Sequence, residues 1–253
     1  CDPVFHSIDE GWDVLSAPPS WLTGHLLRRD CITAPIPTAD YANHQEKLDL
    51  ISDIGIVGRE KVGSVLLFGN RPIDSMRDIA LPSDSSTSSM LLRWLLNERG
   101  VDPKFVEMGP DLDSMLEECD GALIIGDRAI SAANSNPSMV LMDLAKEWIE
   151  ITGFPMVFGV FAARRDSQIS LVREAREVML EQYYSFLEDE QVRQSVISTS
   201  SQKINLPLDR VSAYFEDEVS NILDEDSIKG LETFLVNVCG VDSEISWIVS
   251  QSE

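Results

Sequence analysis

Asp78-Ile79-Ala80-Leu81-Pro82-Ser83-Asp84-Ser85-Ser86-Thr87-Ser88-Ser89-Met90-Leu91-Leu92-Arg93-Trp94-Leu95-Leu96 passes from a short apolar run, through consecutive hydroxyl residues, into an apolar helical stripe. It reads as strand, turn and helix, and Gly100 closes the helix, as glycine does just past a last turn. Serine and threonine are poor inside helices but good at their amino ends, where their oxygens satisfy first-turn amides. The same amides, with the positive end of the helix dipole, attract a carboxylate or phosphate. Two readings of Ser85–Ser89 therefore stand side by side: an over-polar helix cap and an anion site.

Working outward, the pattern of short strand, tight turn and helix recurs. Apolar runs bounded by turn residues predict strands at 31–36, 53–57, 62–68, 104–107, 121–127, 139–142 and 156–163. Helices are expected from a Ser20 cap to Leu27, from Pro110 to Cys119 and over 144–151. From Ser167 onward the periodicity becomes helical, with helices expected at 168–187, 189–199, 207–221 and 225–239. Strands alternating with helices imply α/β layering with largely parallel sheets, the helical tail packing on one part of it.

The 253 residues are 43% hydrophobic and 25% charged, enough for a substantial core. Acidic residues outnumber basic ones 43 to 20, for a net charge of −23. Nucleic-acid binding needs a basic footprint and anionic membranes repel such a chain, so both partner classes are set aside. Cys1, Cys31, Cys119 and Cys239 lie far apart, as do His6, His25 and His44, and no metal site is expected. No stretch is long and apolar enough for a membrane helix. The chain begins at Cys1 rather than Met and runs directly into apolar sequence, so further amino-terminal sequence is expected.

Four segments occur together, in order: Val62-Gly63-Ser64-Val65-Leu66-Leu67-Phe68, the Ser85–Leu92 cap, Ile125-Gly126-Asp127-Arg128-Ala129, and Trp148 followed by Thr152-Gly153-Phe154-Pro155-Met156-Val157-Phe158. In this the chain resembles the chorismate dehydratases of the futalosine route to menaquinone, over about residues 3–163 and more loosely beyond. The resemblance implies a two-lobed fold like that of type II periplasmic binding proteins, used in the cytoplasm. Lobe 1 would comprise 1–73 and 156–253, with the helical carboxy-terminal part packed on it, and lobe 2 would comprise 74–155. The implied reaction is a cofactor-free dehydration of chorismate to 3-[(1-carboxyvinyl)oxy]benzoate.

That likeness assigns roles residue by residue. Ser85, Thr87 and Ser88 would bind substrate carboxylate, and Ser64 would contribute at the crossing between lobes or simply be small there. Asp127 would take part in proton transfer or hold the substrate hydroxyl; alternatively it caps a helix starting at Arg128. Phe154 and Pro155 would wall the ring or only shape the return crossing. Where relatives carry Ser-Ser-Ile-Glu-Tyr, this chain has Pro37-Thr38-Ala39-Asp40-Tyr41, with Thr38 in place of a serine hydroxyl. The relatives' Tyr-Leu-Asn strand, with the asparagine that faces the substrate, is absent here or would lie before Cys1. For the proton acceptor, Asp127, Asp40, His6, that upstream asparagine and the substrate's own carboxylate all stand. A solute-binding module and an inactive paralogue for a small aromatic or dicarboxylic acid are the competing readings. The oligomeric state is left open.

Overall fold

The computed structural model describes residues 2–8 and 11–248, so Cys1 lies outside it. In chain order its first elements are α1 (Asp2–Phe5), α2 (Pro19–Leu27), β1 (Thr33–Pro37), α3 (Thr38–His44), β2 (Leu48–Gly58) and β3 (Val65–Gly69). There follow β4 (Asp78–Pro82), α4 (Ser86–Glu98), β5 (Lys104–Met108), α5 (Leu112–Glu118), β6 (Gly121–Ile125), α6 (Gly126–Ser135), β7 (Val140–Asp143), α7 (Leu144–Thr152) and β8 (Met156–Arg164). The last are α8 (Ile169–Glu188), α9 (Glu190–Ile204), α10 (Leu208–Ala213), a π-helical turn (Tyr214–Glu218), β9 (Val219–Leu223), α11 (Glu225–Asn237) and β10 (Trp247–Ile248).

These strands form two five-stranded sheets. The first has the order β1-β8-β2-β10, with β9 also paired to β2; the second has the order β5-β4-β6-β3-β7. The period-two alternation of strand side chains sends successive residues to opposite faces. In the first sheet Ile51, Phe161 and Ala163 face α1, α8 and α9. Leu50, Val160 and Ala162 face the other way, against Leu26 of α2, Tyr41 of α3 and Leu231 and Leu235 of α11. In the second sheet Leu67, Ile79, Leu81 and Leu123 meet the apolar stripe of α4 and Trp148 of α7. Leu66, Phe68, Ala122 and Ile124 meet Met115 of α5 and Ala129 of α6. Each sheet is thus covered by helices on both faces, and the helical tail packs on the first.

Several sequence expectations need correction. The sheets are not largely parallel: five strand pairings are antiparallel, including those of β8 with β1 and β2 and of β3 with β6 and β7. Strand periodicity reports burial and not direction. The expected helix 207–221 is α10, a π-helical turn and strand β9. Ser20 does not cap α2; Pro18 does, with Pro19 in the first turn, where a missing amide hydrogen costs nothing. The strand expected to reach Asp127 stops at Ile125, and Gly126, with φ of 64°, turns the chain into α6.

The chain crosses between sheets over residues 59–64 and returns over 153–155. Asp143 secures the first crossing. It caps α7 by accepting from the amides of Ala145 and Lys146 at 3.0 and 3.2 Å, and also accepts from those of Val62 and Gly63 at 3.0 and 2.8 Å. Burial pushes its carboxyl above the ordinary range against the pull of those four amides. A group raised on folding binds protons more readily in the native state, so its contribution to stability declines as pH rises from the ordinary value through the raised one. Asp143→Asn is expected to flatten that part of a melting-temperature profile. Asp143→Ala, which orphans several amides, is expected to destabilise by about 1–3 kcal/mol in urea unfolding.

Candidate functional site

One edge of each sheet carries the residues of interest. Strands β4 and β6 run parallel, while β3 runs antiparallel to β6 with Val65 opposite Ile125. The carboxyl ends of β4 and β6 and the start of β3 therefore share an edge. From it emerge Ser64, the Ser85 cap of α4 and the Gly126–Asp127 turn of α6. The amide of Gly126 donates to Ser64 O at 2.7 Å, and Arg128 Nη1 pairs with Asp84 Oδ2 at 3.1 Å. In the first sheet Pro37 lies opposite Gly159 and Gly58 opposite Met156. The ends of β1 and β2 and the start of β8 thus share an edge as well. The two edges are tied together where Ala39 N donates to Thr87 Oγ1 at 3.0 Å. The crevice outside strand carboxyl ends is where open α/β folds bind ligands.

Ser85 caps α4 in an extended conformation, yet its side chain makes no capping hydrogen bond. The first-turn amides are therefore not occupied by the group that would ordinarily satisfy them. Ser85, Thr87 and Ser88 are all buried, as an inward-facing site requires. Ser86 faces elsewhere: its Oγ donates to Asp40 Oδ1 at 2.6 Å, while Thr23 Oγ1 donates to Asp40 Oδ2 at 2.6 Å. Asp40 is thus committed to holding α2, α3 and α4 together.

Asp127 sits in the first turn of α6 rather than at its cap, which is Ile125. Its carboxylate and the Ser64 side chain both lie close enough to the Tyr214 phenol to act on it. Burial pushes the Tyr214 phenol up, with Asp127 and Glu218 adding to the rise and Ser64 opposing it. Ser64, Asp127 and Tyr214 are thereby brought together. Thr38 is buried at the adjoining edge, but its hydroxyl donates to Val157 O at 2.7 Å. Phe154 and Pro155 pack on α11 at Gly230. His6 lies apart, its Nε2 3.0 Å from Gln182 O in a groove of about 700 Å³ among α1, α8 and α9.

Sequence reasoning passed over Asp143, Tyr214, Arg210 and Glu218. Asp143 carried a signal, an aspartate directly before an apolar helical run. The other three were hidden in what reads as one amphipathic helix.

A sequence model of the family described as menaquinone biosynthesis matches residues 1–238. A chorismate dehydratase from Thermus thermophilus is 32% identical over 195 residues, which is 69% of this chain and 72% of that protein. Among solved structures, an Archaeoglobus fulgidus protein superposes with a TM-score of 0.68 at 20% identity, covering 88% of this chain and 84% of its own. The alkanesulfonate-binding protein SsuA of Xanthomonas axonopodis pv. citri gives 0.62 at 18% identity, covering 87% and 80%. These structural likenesses establish the periplasmic-binding-protein type of fold. Because the family model spans nearly the whole chain and the Thermus relative matches across most of both sequences, this chain belongs to the menaquinone-biosynthesis family.

Proposed function

We propose that this chain is a lyase that removes water from chorismate to give 3-[(1-carboxyvinyl)oxy]benzoate. The observation that carries the reading is that the start of α4, Ser64 and the Gly126–Asp127 turn share one sheet edge. A relative bearing the name of that enzyme supports it. Carboxylate at the first turn of α4 gains about 0.3–2 kcal/mol from the helix dipole, and more from the Ser85, Thr87 and Ser88 hydroxyls. Asp127 takes the proton from the ring carbon that bears the enolpyruvyl ether. The electrons of that C–H bond form the new ring double bond, the neighbouring C–O bond breaks, and hydroxide leaves as water with the proton that Asp127 returns. The ring becomes aromatic and no net oxidation occurs, so the reaction calls for no redox cofactor.

The reading keeps two lobes, one built on each sheet; since β3 (Val65–Gly69) pairs with β6 and β7, the second lobe would begin ahead of β3 and not at the expected residue 74. Hinge closure over the two crossings would shut the site. Among the described residues no helix is long and apolar enough to cross a membrane, and the place proposed for the reaction is the cytoplasm.

Incubation of the purified protein with chorismate, followed by mass spectrometry and NMR, tests the reading. A product lighter by one water and identified as the enolpyruvyloxy benzoate is expected. Unchanged chorismate with ligand-induced thermal stabilisation would favour a solute-binding protein, the reading that the sulfonate-binding neighbours suggest. Unchanged chorismate without stabilisation overturns both.

Replacing Thr87 and Ser88 together by alanine is expected to weaken chorismate binding at least about tenfold. Loss of the Ala39 contact and of hydroxyls near the cap would lower stability by only about 1–3 kcal/mol. Calorimetric titration beside thermal melting separates the two effects, and parental affinity in the double variant would remove the anion-site argument.

A further inference from the structure

A dianionic substrate must enter a protein of net charge −23, so the site needs a cation of its own. The cations nearest the facing edges differ sharply. Arg128 is 58% exposed and committed to Asp84. Arg59 binds Asp224 Oδ2 at 2.8 Å and Ile222 O at 3.3 Å. Lys61 is 61% exposed and reaches Glu218 Oε1 at 3.2 Å. Arg210 is the least exposed of these, its side chain 20% exposed, and its Nη2 donates to Glu218 Oε2 at 2.8 Å. Its Nη1 is fully buried and has no hydrogen-bond partner among the described residues.

An unused donor on a buried charged group is costly, and a carboxylate is the acceptor that suits it best. The surroundings place this guanidinium beside the site already described. Gly63, with φ of 59°, lies directly on the ion pair: a Cβ there would overlap Glu218 and stand 2.7 Å from Arg210 Nη2. The next residue is Ser64, whose side chain meets Tyr214, and Arg210 acts electrostatically on that same phenol. Tyr214 and Glu218 bound the π-helical turn, an irregularity that is uncommon in helices and concentrated at functional sites.

We propose that Arg210 anchors one carboxylate of the substrate through Nη1, with Glu218 holding the other arm of the guanidinium in place. The identity of the acid rests on the dehydratase reading, but the chemistry recognised, a planar carboxylate on an aromatic or cyclohexadiene ring, does not. Glu218 is then a positioning residue. The planar fork of arginine presents one nitrogen to Glu218 and the other to the ligand, a division that a lysine ammonium reproduces poorly.

The test uses Arg210→Lys and Arg210→Gln, chorismate turnover, and calorimetric binding of isophthalate as a non-reacting aromatic dicarboxylate. The expected result is KM raised about tenfold in the lysine variant and about a hundredfold in the glutamine variant, with kcat changed far less and isophthalate affinity falling in parallel. A purely structural role would instead lower the melting temperature without separating KM from kcat. Where Arg210→Gln unfolds because Glu218 is stranded, the pair Arg210→Gln and Glu218→Gln removes both charges and keeps the comparison readable. Folded variants that bind isophthalate as the parent does overturn the anchor, as does a parent that fails to bind it. If the parent binds isophthalate but leaves chorismate unchanged, the dehydratase reading falls and the dependence on Arg210 still decides this one.

Discussion

Asp127→Asn is expected to lower kcat for chorismate by about 10²–10⁴-fold, the range in which a positioned general base ordinarily contributes. The substitution is nearly isosteric, and the side chain lies in the first turn of α6 without serving as its cap. The folding penalty is then limited to loss of a carboxylate near a helix amino end, about 0.3–1 kcal/mol. An amide keeps the hydrogen-bonding shape but accepts a proton far less well, so KM should move little. Steady-state kinetics beside thermal melting read both quantities. Parental turnover in a folded variant would pass the role of base to another group, with the substrate's own carboxylate next in line. Asp40 is a poor successor, because both its oxygens already accept from Thr23 and Ser86.

Gly230→Ala is expected to be among the most destabilising single-methyl changes available to this chain. Helix propensity favours alanine by about 1 kcal/mol. Sterics oppose it: the new Cβ would overlap the carbonyl oxygen of Pro155 and stand 3.2 Å from its carbonyl carbon. These are backbone atoms and cannot swing aside. Helix α11 would have to retreat, although Leu231, Phe234 and Leu235 are buried, with Phe234 edge-on to Trp148 at 6.0 Å between ring centroids. Overpacking ordinarily costs about 1–3 kcal/mol, and a rigid obstacle places this case at the upper end or beyond. Gly109→Ala is the control, since a Cβ there meets nothing within 4 Å and the backbone is unstrained. Urea unfolding should show a large loss for the first variant and almost none for the second.

What could be read from sequence was burial and punctuation. Leu66–Phe68, Ile79–Leu81 and Ala122–Ile124 are apolar because helices cover both faces of their sheet, and such runs show in any hydrophobicity pattern. Ser85 declared its helix start by residue type. Strand direction was not legible, because the alternation along β8 is the same whichever way the strand runs. Strand β9 was hidden because Val211, Phe215 and Ile222 also suit a helical stripe, and only a π-helical turn reveals where that stripe breaks. At the candidate site Ser85 was named by residue type at a helix start, and Ser64 and Asp127 by the family resemblance. Arg210, Glu218 and Tyr214 were not, because their meaning comes from contacts with the crossing at Gly63, far away in sequence.

The two sheets also differ in when they can exist. Every strand of the second sheet lies between residues 65 and 143, so its pairings become available as one continuous stretch of chain leaves the ribosome. The first sheet has no such independence: β2 waits for β8 at 156–164, β9 at 219–223 and β10 at 247–248. Pairings that span so much chain close slowly and leave strand edges open in the interval. During synthesis β2 therefore has no strand partner until β8 has been made and waits longer still for β9 and β10, and the nascent protein is at its most aggregation-prone with one sheet finished and the other unpaired.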